Sequence, residues 1–544
     1  MKNLKRIICI VICVSVMMTM LIGANAAEPK QNQIKNFILM IPDGMSVTET
    51  TIARWYNGGK PLAMDEMASG LVRTYSSDAA IADSAPAGTA MATGFKSHTG
   101  YVGVLPDVAN TYGQTPITEN DKQKPVANVL EGAKWLKKST GVVVTCEIPH
   151  ATPSDFMSHF PSRHNYDALS EQEVYSGVDV VFGGGSDVLT PGTGTNNRKD
   201  GEDLVKVLKD KGYQYITKKS EMTNLKPGKV WGMFAPMAMS YDMDKDASAQ
   251  PSISEMTQKA IDLLSQNPKG FFLMVEGSKI DWAAHANDPV GVVSDVLAFD
   301  NAVKVALDYA KSRNDTAVII AADHGTGGMT MGNSSTSSGY DKTPVSAFVD
   351  PLKKAGLTGE GLESKFNKDR TNIKEVMAQY FGITDLTNDE IKAIAETKAG
   401  SMNYTVGPII SKRSDIGWTT TGHTGEEVVL YSYLPGNQRI TGVLDNTDIA
   451  SIIAQKMGFI LPNLSAKLFV PAKAAFEAKG ATVELDQTDR ANPVIIVTKG
   501  SDTLKMPVDK NIAIYNGKTI ELYGLVLNNG KALYVPQQAV DLIK

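Results

Sequence analysis

A three-layer α/β sandwich around a large, mostly parallel sheet, followed by a small α+β domain, is the fold class predicted by three observations. Apolar runs of strand length alternate with helical stretches, several runs end in an acid beside glycine, and the texture changes from about residue 465 onward. The runs are NFILMIPDG (36–44), GVVVTCE (141–147), DVVFGGG (179–185), GFFLMVEG (270–277) and TAVIIAADHG (316–325). They are apolar throughout rather than at every second residue, the pattern of parallel strands covered on both faces. Amphipathic helices are predicted over 125–138, 253–266 and 289–312, the last with Asp295, Asp300 and Lys304 interrupting its apolar face. From residue 465, "LFVPAKAAFEAKGATVELD" leads into β-rich pieces such as "NPVIIVTKG" and "KALYVPQQAVDLIK". Two Val-Pro starts, each running into a short helix, predict a second domain with internal repetition.

The first 26 residues join a cationic start, MKNLKR, to the apolar IICIVICVSVMMTMLIG and a small-residue Ala24-Asn25-Ala26 site. This is the pattern of a secretory signal peptide cut near Ala26, and it predicts a secreted or cell-wall-associated protein. A retained anchor is the competing reading, disfavoured by the short apolar length and the cleavage pattern. No later segment reaches the roughly 18 apolar residues of a membrane span. The leader carries Lys2, Lys5 and Arg6 and no acid, so the remainder is more negative than the −5 of the whole chain. That balance argues against nucleic-acid binding. Of three cysteines only Cys146 lies beyond the leader, which excludes an internal disulfide in the exported chain.

Three of the apolar runs end in Asp43-Gly44, Glu276-Gly277 and Asp323-His324-Gly325. Ligands of open parallel sheets bind beyond the carboxyl ends of the strands, so acids distant in sequence converge there. One such acid reads as a turn-former; three, one joined to histidine, point to metal. "GSKIDWAAH" places Asp281 and His285 at i and i+4, on one face if the segment is helical. Among only seven histidines, His285, His324 and His423 all stand in such settings. Mixed nitrogen and oxygen donors without thiolate suit zinc in an open catalytic site, and all-oxygen sites suit magnesium. Two ions about 4 Å apart clamp both oxygens of a phosphoryl transfer. The small-residue stretch "IADSAPAGTAMATG" (81–94) complements this: Ser84 stands where serine caps a helix, and a helix N-terminus receives phosphate.

The motifs "PDGM", "DSAPAGTAMATG", "HATPSDFMSHFPSR", "VEGSKIDWAAH", "ADHGTGG" and "TGHTGEE" occur in an order that resembles the alkaline phosphatases, over about residues 35–460. The resemblance implies a metal-dependent phosphomonoesterase. It implies two zinc ions, one held by Asp281, His285 and His423, the other by Asp43, Asp323 and His324. It implies Ser84 as the nucleophile that forms a covalent phosphoserine, Arg163 as the grip on phosphate, and Asp83 as the group that orients Arg163. Asp43, Thr152 and Glu276 match ligands of a third ion, magnesium, and family members are commonly homodimers. The sequence departs from the enterobacterial type at His150, which replaces an Asp, and Trp282, which replaces a Lys. An added nitrogen donor opens the third site to zinc or cobalt, and Trp282 removes a cation beside the phosphate. Residues 465–544 resemble, more loosely, the copper amine oxidase N-terminal-like domain, here without His or Cys and so without a copper site, and offer a contact to the cell wall or surface.

Two other functions stay open on the sequence: a phosphodiesterase of the same superfamily, and a wall-associated binding protein on an inactive phosphatase fold. A sulfatase is disfavoured because Ser84 lacks the Pro-x-Arg continuation that its modified nucleophile requires. "FGGGSDVL" has no Gly-Lys-Ser/Thr after it and reads as a turn rather than a phosphate loop. Cys146 reads as a buried small hydrophobe. His98, His159 and His164 read as surface or packing residues, and Lys412 and Arg413 as solvated.

Overall fold

The structure, a computed structural model, describes residues 34–544; the expected signal peptide lies outside the described residues. Ten strands, β1 (Asn36–Ile41), β2 (Ala68–Arg73), β3 (Ser139–Glu147), β4 (Val180–Gly184), β5 (Gln214–Ile216), β6 (Val230–Met233), β7 (Phe271–Glu276), β8 (Thr316–Ile320), β9 (Val428–Tyr433) and β10 (Gly442–Asp445), form one sheet. Their order is β10-β2-β9-β8-β1-β7-β3-β4-β6-β5. All pairings are parallel except those of β9, which runs against both β2 and β8. The five apolar runs of the sequence are β8, β1, β7, β3 and β4, the unbroken centre of the sheet. Every residue of β1, β7 and β8 is buried. Each large aliphatic or aromatic side chain there contributes about 1.5–3 kcal/mol of burial.

Seven helices matter for the site: α1 (Ser84–Thr93), α2 (Val129–Trp135), α3 (Ala151–Met157), α4 (Ile253–Leu264), α5 (Lys279–His285), α6 (Pro289–Ser312) and α7 (Asn446–Met457). One group packs α1 with α2, α3 and α7, and another packs α6 with α4 and α5. The helix expected over 253–266 opens on a capping box of Ser252 and Glu255. That over 289–312 opens on Asp288, whose side chain accepts from the Val290 N–H, with proline in its first turn. The helix expected over 125–138 is shorter, Val129–Trp135: Asn128 caps it, and Lys137 takes a left-handed backbone just beyond its end. The acids that interrupt α6 have partners: Asp300 accepts the N–H groups of Ala63 and Met64, and Asp295 that of Asp242.

Helix α1 corrects one expectation. Asp83, not Ser84, occupies the N-cap position, and Ser84 is the first helical residue. All ten residues of α1 are buried, so its small side chains serve packing as well as any ligand. A Cβ on Gly88 would stand 2.2 Å from the Asp155 carboxylate of α3.

The C-terminal unit has its own core, around Phe476, Ile495, Val497, Leu504 and Met506, inside a five-stranded antiparallel sheet and two short helices. The two Val-Pro segments of the sequence pair with each other, Val470 opposite Val535, and each leads into one helix, Ala472–Glu477 and Gln537–Val540. The unit is docked on the larger one: Lys510 pairs with Glu171 at 3.1 Å, Lys531 with Asp107 at 3.0 Å, and Leu525, Leu527 and Tyr534 join the large core. No described helix is long and apolar enough to cross a membrane.

The turn after β1 needs glycine. Gly44 has φ +71°, and a Cβ there would lie 2.7 Å from Asp281 Oδ1. Gly44→Ala is expected to cost about 1–2 kcal/mol from the left-handed backbone alone, with the Asp281 contact adding to it. Chemical denaturation of the two proteins measures this, and equal stabilities would contradict it.

Candidate metal and phosphate site

The register of the central strands assembles the site. Ile41 of β1 is opposite Glu276 of β7, and Met40 is opposite Ile320 of β8, so the segments that follow the strands emerge side by side. Asp43 follows β1, Glu276 ends β7 and Asp323-His324 follows β8. Helix α5 begins just after β7 and brings Asp281 and His285 onto one face, with His285 Nε2 3.3 Å from Asp281 Oδ2. His423 arrives on a two-residue strand paired with Gly325–Thr326, opposite Thr326.

Two carboxylate–imidazole clusters result, Asp43–Asp323–His324 and Asp281–His324–His423, and both include His324. His324 Nε2 lies 3.2 Å from Asp323 Oδ2 and 3.6 Å from Asp43 Oδ1, and its ring stacks on that of His423 with centroids 3.6 Å apart. His285 adjoins the second cluster, its Nε2 3.1 Å from His423 Nε2. The other nitrogens of these two rings face backbone carbonyls: His285 Nδ1 is 2.6 Å from Thr421 O, and His423 Nδ1 2.7 Å from Ala82 O. Protons placed there leave the two Nε2 lone pairs turned toward one point, the arrangement that orients metal-binding histidines.

Four carboxylates in this volume, those of Asp43, Glu276, Asp281 and Asp323, are buried. Both oxygens of Asp43, Glu276 Oε1 and Asp323 Oδ2 lack a hydrogen-bond partner among the described residues. Without a cation, burial and then the neighbouring Asp323 and Asp281 hold the Asp43 carboxyl well above the usual carboxylate range. Burial and Asp323 likewise push Glu276 up to about 8. Burial opposes charge on His324, but Asp323 and Asp281 outweigh it and raise the ring to about 9. Burial would raise Asp281 too, yet the surrounding histidines hold it below its ordinary value. Buried carboxylates without partners are costly, and this donor set fits divalent cations.

Ser84 Oγ lies 3.1 Å from His324 Nε2, on the imidazole common to both clusters. Neither Asp83 nor Ser84 caps α1 with its side chain. The Asp83 carboxylate instead pairs with Arg163 Nη1 and accepts the Gly100 N–H at 3.1 Å. Arg163 Nη2 is 3.0 Å from His150 Nε2, and the His150 ring meets that of Trp282 edge-on with centroids 5.8 Å apart. Burial and Arg163 lower His150 to about 4. Asp83, His150, Arg163 and Trp282 line a cleft of about 690 Å³ together with Tyr166 and Glu147. Thr152, on the first turn of α3, is buried with its hydroxyl unpartnered. All thirteen residues singled out from the sequence thus lie in or beside this network.

Three residues in it escaped the sequence reading. Thr326 Oγ1 donates to Asp281 Oδ1 at 2.5 Å, and its place inside "ADHGTGG" was the available signal. Lys279 is buried, with its ammonium 4.5 Å from the Trp282 ring and 3.2 Å from Glu360. Cys146 is buried in the large core as expected, and its Sγ also lies 3.6 Å from Glu276 Oε2, in a third cluster with His150. Arg413 pairs with Glu390 at 2.8 Å.

The alkaline phosphatase family profile matches residues 34–459. The chain belongs to the alkaline phosphatase family. A second profile, that of the copper amine oxidase N-terminal domain, matches residues 459–542. Alkaline phosphatase 4 of Bacillus subtilis is 38% identical over 453 residues, 79% of this chain and 90% of its own length. Among solved structures, the cold-active alkaline phosphatase of the psychrophile Shewanella sp. is 30% identical with a TM-score of 0.66, over 78% of this chain and 99% of that one. The alkaline phosphatase of Thermus thermophilus is 26% identical with a TM-score of 0.69, over 80% and 95%. This chain is accordingly a phosphomonoesterase with a multi-metal site.

Metal removal has a pH signature. Glu276 and His324 both have folded-state values above their unfolded ones, at about 8 and about 9, so the stability each contributes falls as pH rises. His150 and His423, lowered to about 4, contribute no slope above their unfolded values near 6.5. Between about pH 7 and 9 the melting temperature of chelator-treated protein is therefore expected to fall faster than that of metal-loaded protein. Parallel slopes in scanning calorimetry would contradict this.

Proposed function

We propose that this phosphatase is exported and transfers the phosphoryl group of a monoester first to Ser84 and then to water. The single observation that carries the reading is the position of Ser84 Oγ, 3.1 Å from the imidazole that belongs to both carboxylate clusters. Zinc held by Asp281, His285 and His423, zinc held by Asp43, Asp323 and His324, and magnesium, zinc or cobalt held by Asp43, Thr152 and Glu276 beside His150 would supply Lewis-acid charge for the attacking, leaving and phosphoryl oxygens.

Ser84 Oγ loses its proton to solvent and forms the bond to phosphorus while the phosphorus–alcohol bond breaks; the departing alkoxide takes a proton from solvent. Water then attacks the phosphoserine, and Ser84 is regenerated as inorganic phosphate forms. Arg163 receives two phosphoryl oxygens on its planar fork. Its free N–H groups are aimed by Asp83 on one nitrogen and His150 on the other. Asp83 is thus a positioning residue. A guanidinium fixed there crowds a second ester substituent, which favours monoesters over the diesters of a phosphodiesterase. Trp282 places an aromatic edge rather than an ammonium beside the phosphate, which favours release of product. The chain works as a homodimer, and residues 465–544 give it a contact to the cell wall or surface.

Ser84→Ala is expected to lower kcat on an aryl phosphate by about 10³-fold or more, as loss of a nucleophile does. Arg163→Ala is expected to lower kcat/KM by about 10–100-fold, the equivalent of one or two charged hydrogen bonds. Steady-state rates on the monoester and the matching diester check both. Full activity of Ser84→Ala, faster diester hydrolysis, or unchanged turnover after complete metal removal would each overturn the reading.

A further inference from the structure

The third cluster holds a thiol. Cys146 Sγ, a ring nitrogen of His150 and a carboxylate oxygen of Glu276 all lie within 4.8 Å of one another. Cys146 and Glu276 have no solvent exposure. His150 Nδ1, Glu276 Oε1 and the neighbouring Thr152 Oγ1 are buried without hydrogen-bond partners among the described residues, so unsatisfied ligand atoms line the place.

The backbone that carries the thiol is held. Ser278, just beyond β7, accepts the Cys146 N–H on its hydroxyl at 3.1 Å, and its own N–H donates to Thr145 Oγ1 at 3.0 Å. The parallel register of β3 with β4 breaks between Val143 and Glu147, so this strand end departs from regular pleating where it meets the site. The spacing of the donors matters most. Zinc bonds of about 2.3 Å to sulfur and about 2.1 Å to oxygen, at a tetrahedral angle, put the two ligand atoms about 3.6 Å apart. Cys146 Sγ and Glu276 Oε2 are 3.6 Å apart as they stand. Sulfur and oxygen could therefore share one ion without rearrangement.

We propose that Cys146 is a ligand of the third metal position, which thereby presents sulfur, nitrogen and oxygen and takes zinc or cobalt in preference to magnesium. The inference rests on the reading of Glu276 and Thr152 as ligands of a third ion. Magnesium prefers a shell of oxygens and keeps several waters, whereas a thiolate selects softer ions. The thiol proton passes to solvent as the sulfur–metal bond forms, so no oxidant or other reactant is needed. A purely structural Cys146 would donate its S–H weakly to Glu276 and leave metal choice to oxygen and nitrogen.

Cys146 is the only cysteine beyond residue 26, so any thiolate signal of the exported chain reports on it. The test is stepwise cobalt(II) titration of the metal-free protein, followed in the near ultraviolet for sulfur-to-metal charge transfer and in the visible for total bound cobalt. The expected result is a charge-transfer band that grows with the third equivalent and is missing in Cys146→Ser. In zinc–magnesium competition, Cys146→Ser is expected to weaken zinc at that position by about 10-fold or more, a loss that even groups one step removed from a metal produce. A third equivalent without a sulfur band would overturn the thiolate ligand and leave the third site standing. Saturation at two equivalents would overturn both. A sulfur band that persists in Cys146→Ser would show that its source lies elsewhere and would also overturn the assignment.

Discussion

Four buried carboxylates, three of them with oxygens unpartnered among the described residues, are the constraint on which the rest of this structure depends. Asp43, Glu276, Asp281 and Asp323 are brought together because β1, β7 and β8 run parallel and end side by side. Burial and mutual repulsion make the assembly unfavourable unless positive charge is added. His285, His324 and His423 supply part of that charge only when protonated, and bound cations supply it while leaving the imidazole lone pairs in use. In the proposed function the same centre joins folding to catalysis: the charge that neutralises the strand ends also activates the serine beside them.

From that centre the contacts run outward in a connected sequence. His324 meets Ser84, Ser84 adjoins Asp83, Asp83 holds Arg163, Arg163 meets His150, and His150 leads to Cys146, Glu276 and Trp282. Helix α1 can deliver Ser84 so deeply because its residues are small. The docked C-terminal unit stands apart from this sequence of contacts. Its Lys510 and Lys531 pair with acids on the catalytic unit, which fixes its place on the fold without reaching the clusters.

The central sheet was legible in the sequence because strands buried on both faces are apolar at every position. The five runs that stood out form its contiguous middle, β8 to β4. Three of the flanking strands gave no such signal: β2 and β10 carry mostly exposed or half-buried residues, and β5 is three residues long. The residues of the two carboxylate–imidazole clusters were legible because acids after strands, and histidines beside glycine, are few and patterned. Cys146 was not, since a cysteine on an apolar strand looks the same whether its thiol faces a core or a carboxylate. The cap at α1 was misplaced by one residue because Asp83 and Ser84 are both good capping types, and the tertiary partners Arg163 and His324 claimed both side chains.

Metal content, measured on protein dialysed exhaustively against metal-free buffer, tests the central claim most directly. The carboxylate assembly predicts at least two tightly held divalent cations per chain, and a marked loss of bound metal in Asp43→Asn together with Asp323→Asn. A folded, fully active chain that retains no cation would contradict it.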